Sequence, residues 1–154
     1  PIMLDNLPKI HLERLVEIIE DYYSSPFMLP STATDSPEYD PHMNQKLMWR
    51  GPVWAWMNFL IGSGIDKQIQ RLRSNSFDSV HDEILLTKLL RLREKIQKSS
   101  NQLNKRADFA ENHDSETGEG LRTKPFAGAA VHELVADGVW LAAKRRLPAR
   151  DKRH

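Results

Sequence analysis

Cysteine is absent from the 154 residues. Disulfides and thiolate metal sites are therefore excluded, and either redox compartment suits the chain. An excess of charge is also missing: 22 basic residues against 21 acidic ones leave a net charge of +1. Nothing in that balance asks for nucleic acid or a membrane surface as a partner. No apolar run approaches the ~20 residues of a membrane span. The first residues lack the basic start and long apolar stretch of a signal peptide, which leaves the compartment open and favours the cytoplasm. No phosphate-binding loop, dinucleotide fingerprint or Gly-x-Ser-x-Gly elbow occurs, so no cofactor is expected. The six histidines, His11, His42, His81, His113, His132 and His154, are scattered. None pairs with another at helical i, i+4 spacing, so no metal site is expected either. His113 reads as an exposed loop histidine.

What is present is helical periodicity. Residues 9 to 24 read as an amphipathic helix, with Leu12, Leu15, Ile19 and Tyr22 on one stripe and Pro26 ending it. A second helix opens at Gly51-Pro52, where the missing N–H of proline is harmless. Its stripe is Val53, Met57, Leu60, Ile61 and Gly64. A short helix over 66 to 73, capped by Asp66, follows. The strongest helix spans 79 to 104, on Leu85, Leu89, Leu92 and Ile96, with Glu94 and Lys98 as a favourable i, i+4 pair. The leucine run is too short for a coiled coil and predicts core packing. A last helix is expected from Ala127 to Arg145. The basic tail from Lys144 to Arg153 reads as a solvated end rather than a nucleic-acid arm. No strand alternation is visible, and the fold class is all-α.

Two segments resist helix: 25 to 50, punctuated by Pro26, Pro30, Pro37 and Pro41, and 105 to 125, rich in Asp, Glu, Asn and Gly. Loops this long are often functional. Both precede a helix and are expected at the same end of the molecule. The second holds Glu111, Asp114, Glu116 and Glu119, any of which could serve acid–base chemistry or simply face water. Spacing alone does not choose among them.

Trp49, Trp54 and Trp56 crowd three of the four tryptophans into eight residues around Arg50. Aromatic rings stack on the C–H faces of sugars, and a guanidinium donates fork-like hydrogen bonds to hydroxyls. The same rings could equally be core. If they form a sugar subsite, Arg50 and at least one indole should face solvent or a cleft while Val53, Met57 and Leu60 pack inward.

The run Trp49-Arg50-Gly51-Pro52-Val53-Trp54 resembles the signature of the (α/α)6-barrel glycoside hydrolases of family 63 and their mannosylglycerate-hydrolase and trehalase-like relatives. Leu29-Pro30-Ser31, with Asp35, Ser36, Pro37 and Tyr39-Asp40-Pro41, resembles the loop leading into that signature. Phe109-Ala110-Glu111-Asn112-His113-Asp114 with Thr117-Gly118-Glu119-Gly120-Leu121 resembles the family's catalytic loop. Order and spacing agree over about residues 29 to 130.

The resemblance implies an inverting glycoside hydrolase acting on an oligosaccharide or glycoside. Two carboxyl groups then flank the scissile bond, about 6.5–9.5 Å apart, one as acid and one as base. Glu111 matches the base. Trp49, Arg50, Trp54, Trp56 and Glu119 match substrate-binding positions. The family's general acid lies on an earlier helix hairpin, and nothing here matches that region. A full barrel has twelve helices, and 154 residues hold about four or five at typical lengths. The expectation is a single domain over 1–154 that is the C-terminal part of a larger enzyme; Pro1, which is not a start methionine, fits that. Alone it would be inactive and prone to self-association. The alternative is a non-catalytic helical remnant that binds carbohydrate or another protein. The chain departs from the family pattern at His113, Arg122, Lys124 and Ala129.

Overall fold

The computed structural model describes residues 1–5, 7–42, 49–74, 80–105, 110–122 and 124. The expected last helix, with Ala129, lies outside the described residues. Among those described, three helices carry the fold: α1 Lys9–Tyr22, α2 Ala55–Ser74 and α3 Val80–Asn104. A small antiparallel pair follows, β1 Asn112–His113 and β2 Gly120–Leu121. Among the described residues the fold is all-α apart from this hairpin and the isolated bridges at Val53.

The three helices share one core. Leu12, Val16 and Ile19 of α1 meet Ile65, Ile69 and Leu72 of α2 and Leu85, Leu89, Leu92 and Ile96 of α3. The α3 stripe is the one its periodicity predicts, and each of those four residues is at most 2% exposed. Met28 and Leu29 from the long first loop plug the same core, and Leu7 and Ile2 close its other side. Tyr22 is the edge of the α1 stripe and stays exposed.

Helix α2 differs most from its expectation. It begins at Ala55 and runs unbroken through the segment expected as a separate short helix. Pro52 and Val53 are extended, because Val53 forms bridges on both sides, to Pro30 and to His113. Asp66 therefore caps nothing. It pairs instead with Arg93 of α3, whose Nε lies 2.9 Å from both carboxylate oxygens. The buried face of α2 comprises Asn58, Gly62, Gly64, Ile65, Gln68, Ile69 and Leu72. Leu60, expected inside, is 43% exposed. Val53 is buried, as expected, but as ribbon rather than helix.

Buried Arg93 lies over Gly62, where a Cβ would meet its guanidinium carbon at 3.3 Å. Burial pushes the Asp66 carboxyl above its ordinary value, and Arg93 opposes that rise. In the first turn of α3, Lys9 of α1 pairs with the buried Asp82. Glu94 and Lys98 form the expected ion pair at 2.9 Å.

Candidate active site

Val53 is the hinge of the site. Its N–H donates to the His113 carbonyl at 2.7 Å, and the His113 N–H donates back at 2.9 Å. On Val53's other side the Ser31 N–H donates to the Pro52 carbonyl at 3.1 Å. Pro30, Val53, His113 and Gly120 therefore lie side by side, so the two long loops meet at one end of the helices. The Phe27 N–H adds a bond to the Ser115 carbonyl at 3.2 Å.

The segment that carries the tryptophans is clamped by the first loop. Thr32 Oγ1 donates to the Trp49 carbonyl at 2.7 Å, and the Gly51 N–H donates to Ser31 Oγ at 3.1 Å. Gly51 has φ +152° and packs against the Asp40 carbonyl, where a Cβ would fall 2.4 Å from that oxygen. Only glycine fits there. Asn58 Nδ2 donates to the carbonyls of Leu29 and Trp54.

Trp49 stacks on Trp54 with ring centroids 4.2 Å apart and meets Trp56 edge-on at 6.3 Å. Trp54 is 6% exposed and forms the floor; Trp49 is 47% exposed. Trp56 is half-buried. The Arg50 side chain is part-exposed and lies 3.5 Å from Glu38. So Arg50 and Trp49 face outward, while Trp54 is a support rather than an exposed ring.

The second loop is organised by Asp114. Its Oδ1 accepts the N–H groups of Glu116 and Thr117, both at 2.8 Å, which is an Asx turn. Its Oδ2 pairs with His42 Nδ1 from the first loop. Burial works to raise the Asp114 pKa, but the Thr117 and Glu116 N–H groups and the His42 ring hold it below the usual carboxylate value. The hydrogen bond to Asp114 pushes the exposed His42 imidazole up. Tyr39 adds a second cross-loop contact: its hydroxyl lies 2.7 Å from Ser115 Oγ and donates to Glu116 Oε1 at 2.7 Å. Burial first, and Glu116 next to it, lift the Tyr39 phenol to about 12, against the opposing Ser115 bond. Gly118, at φ +69°, closes the turn under the Phe27 ring.

This ordering separates the four carboxylates. Asp114 is buried, with one oxygen engaged by its own turn and the other by His42 of the first loop. Glu116 is held by Tyr39. Glu119 is exposed, and its backbone carbonyl accepts the Asp114 N–H at 2.8 Å. Glu111 is partly buried, with its side chain 18% exposed, and its Oε2 is 3.4 Å from Arg122 Nε. His113, expected to be exposed, is 1% exposed, because its backbone is the ribbon's central strand.

These motifs come from one family. The profile of the mannosylglycerate hydrolase MGH1-like glycoside hydrolase domain matches residues 1–127. The chain belongs to that family. Among solved structures this MGH1-like domain is similar to an uncharacterized conserved protein from Thermus thermophilus, with TM-score 0.63 and 21% identity. That match covers 90% of this chain and 30% of the other. A GH63 mannosylglycerate hydrolase from the same organism, in complex with glucose, matches with TM-score 0.63 and 21% identity over 90% of this chain and 29% of its own. The same enzyme's complex with Tris gives TM-score 0.56 and 21% identity over 84% of this chain and 25% of its own. The MGH1-like domain thus has the fold of part of an all-α GH63 toroid and spans less than a third of the solved chains. No curated protein matches it.

In this MGH1-like domain the sequence motifs locate Glu111 and the tryptophan segment, and the structure joins their loops through Val53. Sequence reasoning missed the cross-loop pairs of His42 with Asp114 and Tyr39 with Glu116. Asp114 and Thr117, three apart in a Gly-containing loop, carry an Asx-turn signal; the partners from the distant loop carry none. Arg122 is the cation paired with Glu111. No group of three His, Asp or Glu among the described residues is arranged to hold a metal.

Proposed function

We propose that the chain is the C-terminal part of an inverting glycoside hydrolase and supplies its general base and one sugar subsite. The single observation that carries this reading is the ribbon at Val53. It brings the loop of Glu111 against the segment of Trp49 and Arg50, as a base and a sugar platform require. Trp49, backed by Trp54 and Trp56, offers an indole face to a sugar ring. Arg50 offers donors to its hydroxyls. Glu111 activates the water opposite the scissile bond, and Glu119, on the exposed side of the Gly turn, binds substrate. Asp114 does no chemistry in this reading, because its Oδ1 is taken by the turn and its Oδ2 by His42 of the first loop. The general acid comes from upstream of this sequence in the whole enzyme, and the substrate is a glycoside of the α-glucoside or α-mannoside class.

The test is hydrolysis of α-glucosides, α-mannosides and mannosylglycerate by the full-length enzyme, following the first-formed anomer by proton NMR. Inversion of the anomeric centre supports the reading. Retention contradicts the water-activating role of Glu111. Sugar binding at the tryptophans without hydrolysis selects the non-catalytic remnant instead.

A further inference from the structure

The hairpin that holds Glu111 pairs Asn112 with Leu121 and His113 with Gly120. One step further along the same antiparallel register, Glu111 stands opposite Arg122. Arg122 leaves the strand with φ +58°, in the left-handed region. Outside glycine that conformation is uncommon, and Asn or Asp adopts it most readily. A long cationic residue held there is a local exception, and such exceptions concentrate at functional positions. Its Nε lies 3.4 Å from Glu111 Oε2, with both side chains only part-exposed, 32% and 18%. The register thus sets the two residues facing each other, and the left-handed turn ends the strand at the residue that makes the contact.

We propose that Arg122 is a positioning residue for Glu111, an inference that rests on the reading of Glu111 as the base. A general base on a loop must be held to within ~0.5 Å to keep its water aligned. A carboxylate has two oxygens, so one can be held by a guanidinium while the other carries the water. Arginine suits the task because its N–H groups are fixed in a rigid plane and its charge does not titrate. In this proposal Arg122 acts on the reaction by holding Glu111 rather than by binding the sugar. Glu111 is thereby anchored from its own hairpin, independently of the first loop.

The experiment uses the full-length enzyme with Arg122→Asn and Arg122→Lys. Asparagine tolerates the left-handed backbone and removes the cation; lysine keeps the cation and changes its shape. Arg122→Asn should lower kcat by about 10- to 100-fold, the scale of a misplaced catalytic group, with KM within a factor of about two. Arg122→Lys should recover part of that loss, and added guanidinium should partly rescue Arg122→Asn. Circular dichroism checks that both variants fold. Wild-type kcat in a folded Arg122→Asn enzyme overturns the proposal while leaving the base reading intact, and so does a loss confined to KM. Undiminished turnover in Glu111→Gln, measured alongside, overturns the base reading and this inference together.

Discussion

At the scale of single residues, Asp114 and His42 show how a loop carboxylate can be structural. The sign of their pH dependence follows from the two shifts. His42 is raised by Asp114, so its contribution is complete below the ordinary histidine value and is lost as pH rises through the raised one. Asp114 is lowered, so its contribution is present above the ordinary carboxylate value and is lost as pH falls through the lowered one. The latch between the loops is therefore fullest between about pH 4 and pH 6.5. Melting temperature against pH should decline on both sides of that window. His42→Gln should remove the decline on the alkaline side and keep the acid one, which also draws on the Thr117 and Glu116 N–H bonds. Identical curves for His42→Gln and wild type would contradict the latch. Little of this was legible beforehand. Asp114, Glu116 and Glu119 look alike in the sequence, and only the cross-loop partners His42 and Tyr39 tell them apart. Trp49 and Arg50 were legible as outward-facing, because glycine and proline directly after them keep them off the helix.

At the scale of elements, periodicity served where burial alone decides. The α3 stripe was readable because Leu85, Leu89, Leu92 and Ile96 meet neighbours on one face throughout. Leu89 is fully buried and Leu90, next to it, is 40% exposed. Leu89→Ala should cost about 3 kcal/mol and Leu90→Ala less than ~0.5 kcal/mol, read from urea midpoints at unchanged slope. Equal losses would show that the core is not where the structure puts it. The start of α2 was illegible for a specific reason. Val53 fits a helical stripe by spacing, yet the partners that draw it into a ribbon, Pro30 and His113, lie far away in sequence. Leu60 then rotates outward and Gly62 inward, where Arg93 crosses. The hairpin was missed on the same ground, because strands of two residues carry no alternation. Its turn makes a further demand. Gly118→Ala would place a Cβ 2.4 Å from the Phe27 ring at φ +69°. It should destabilise the fold by more than ~1 kcal/mol, and a neutral melt would refute the packing of Phe27 over the turn.

At the scale of the whole molecule, the match to the GH63 mannosylglycerate hydrolase takes in 90% of this chain but 29% of that enzyme. Three helices of such a toroid leave faces that the rest of the ring would cover. Val80 and Ile84 on the outer side of α3 are 72% and 50% exposed, and Ile10 on α1 is 67% exposed. Exposed apolar groups of this kind promote association. The isolated 154 residues should therefore self-associate at micromolar concentration in analytical ultracentrifugation and, on the proposed reading that places the general acid elsewhere in the enzyme, hydrolyse nothing. A monodisperse monomer with turnover would contradict both expectations. The catalytic claim itself is tested most directly by comparing two carboxylates in the full-length enzyme. Glu111→Gln should lower kcat by at least ~10²-fold with KM within a small factor, while Glu119→Gln should mainly raise KM. Near wild-type turnover in Glu111→Gln, with activity abolished in Glu119→Gln, would contradict the account.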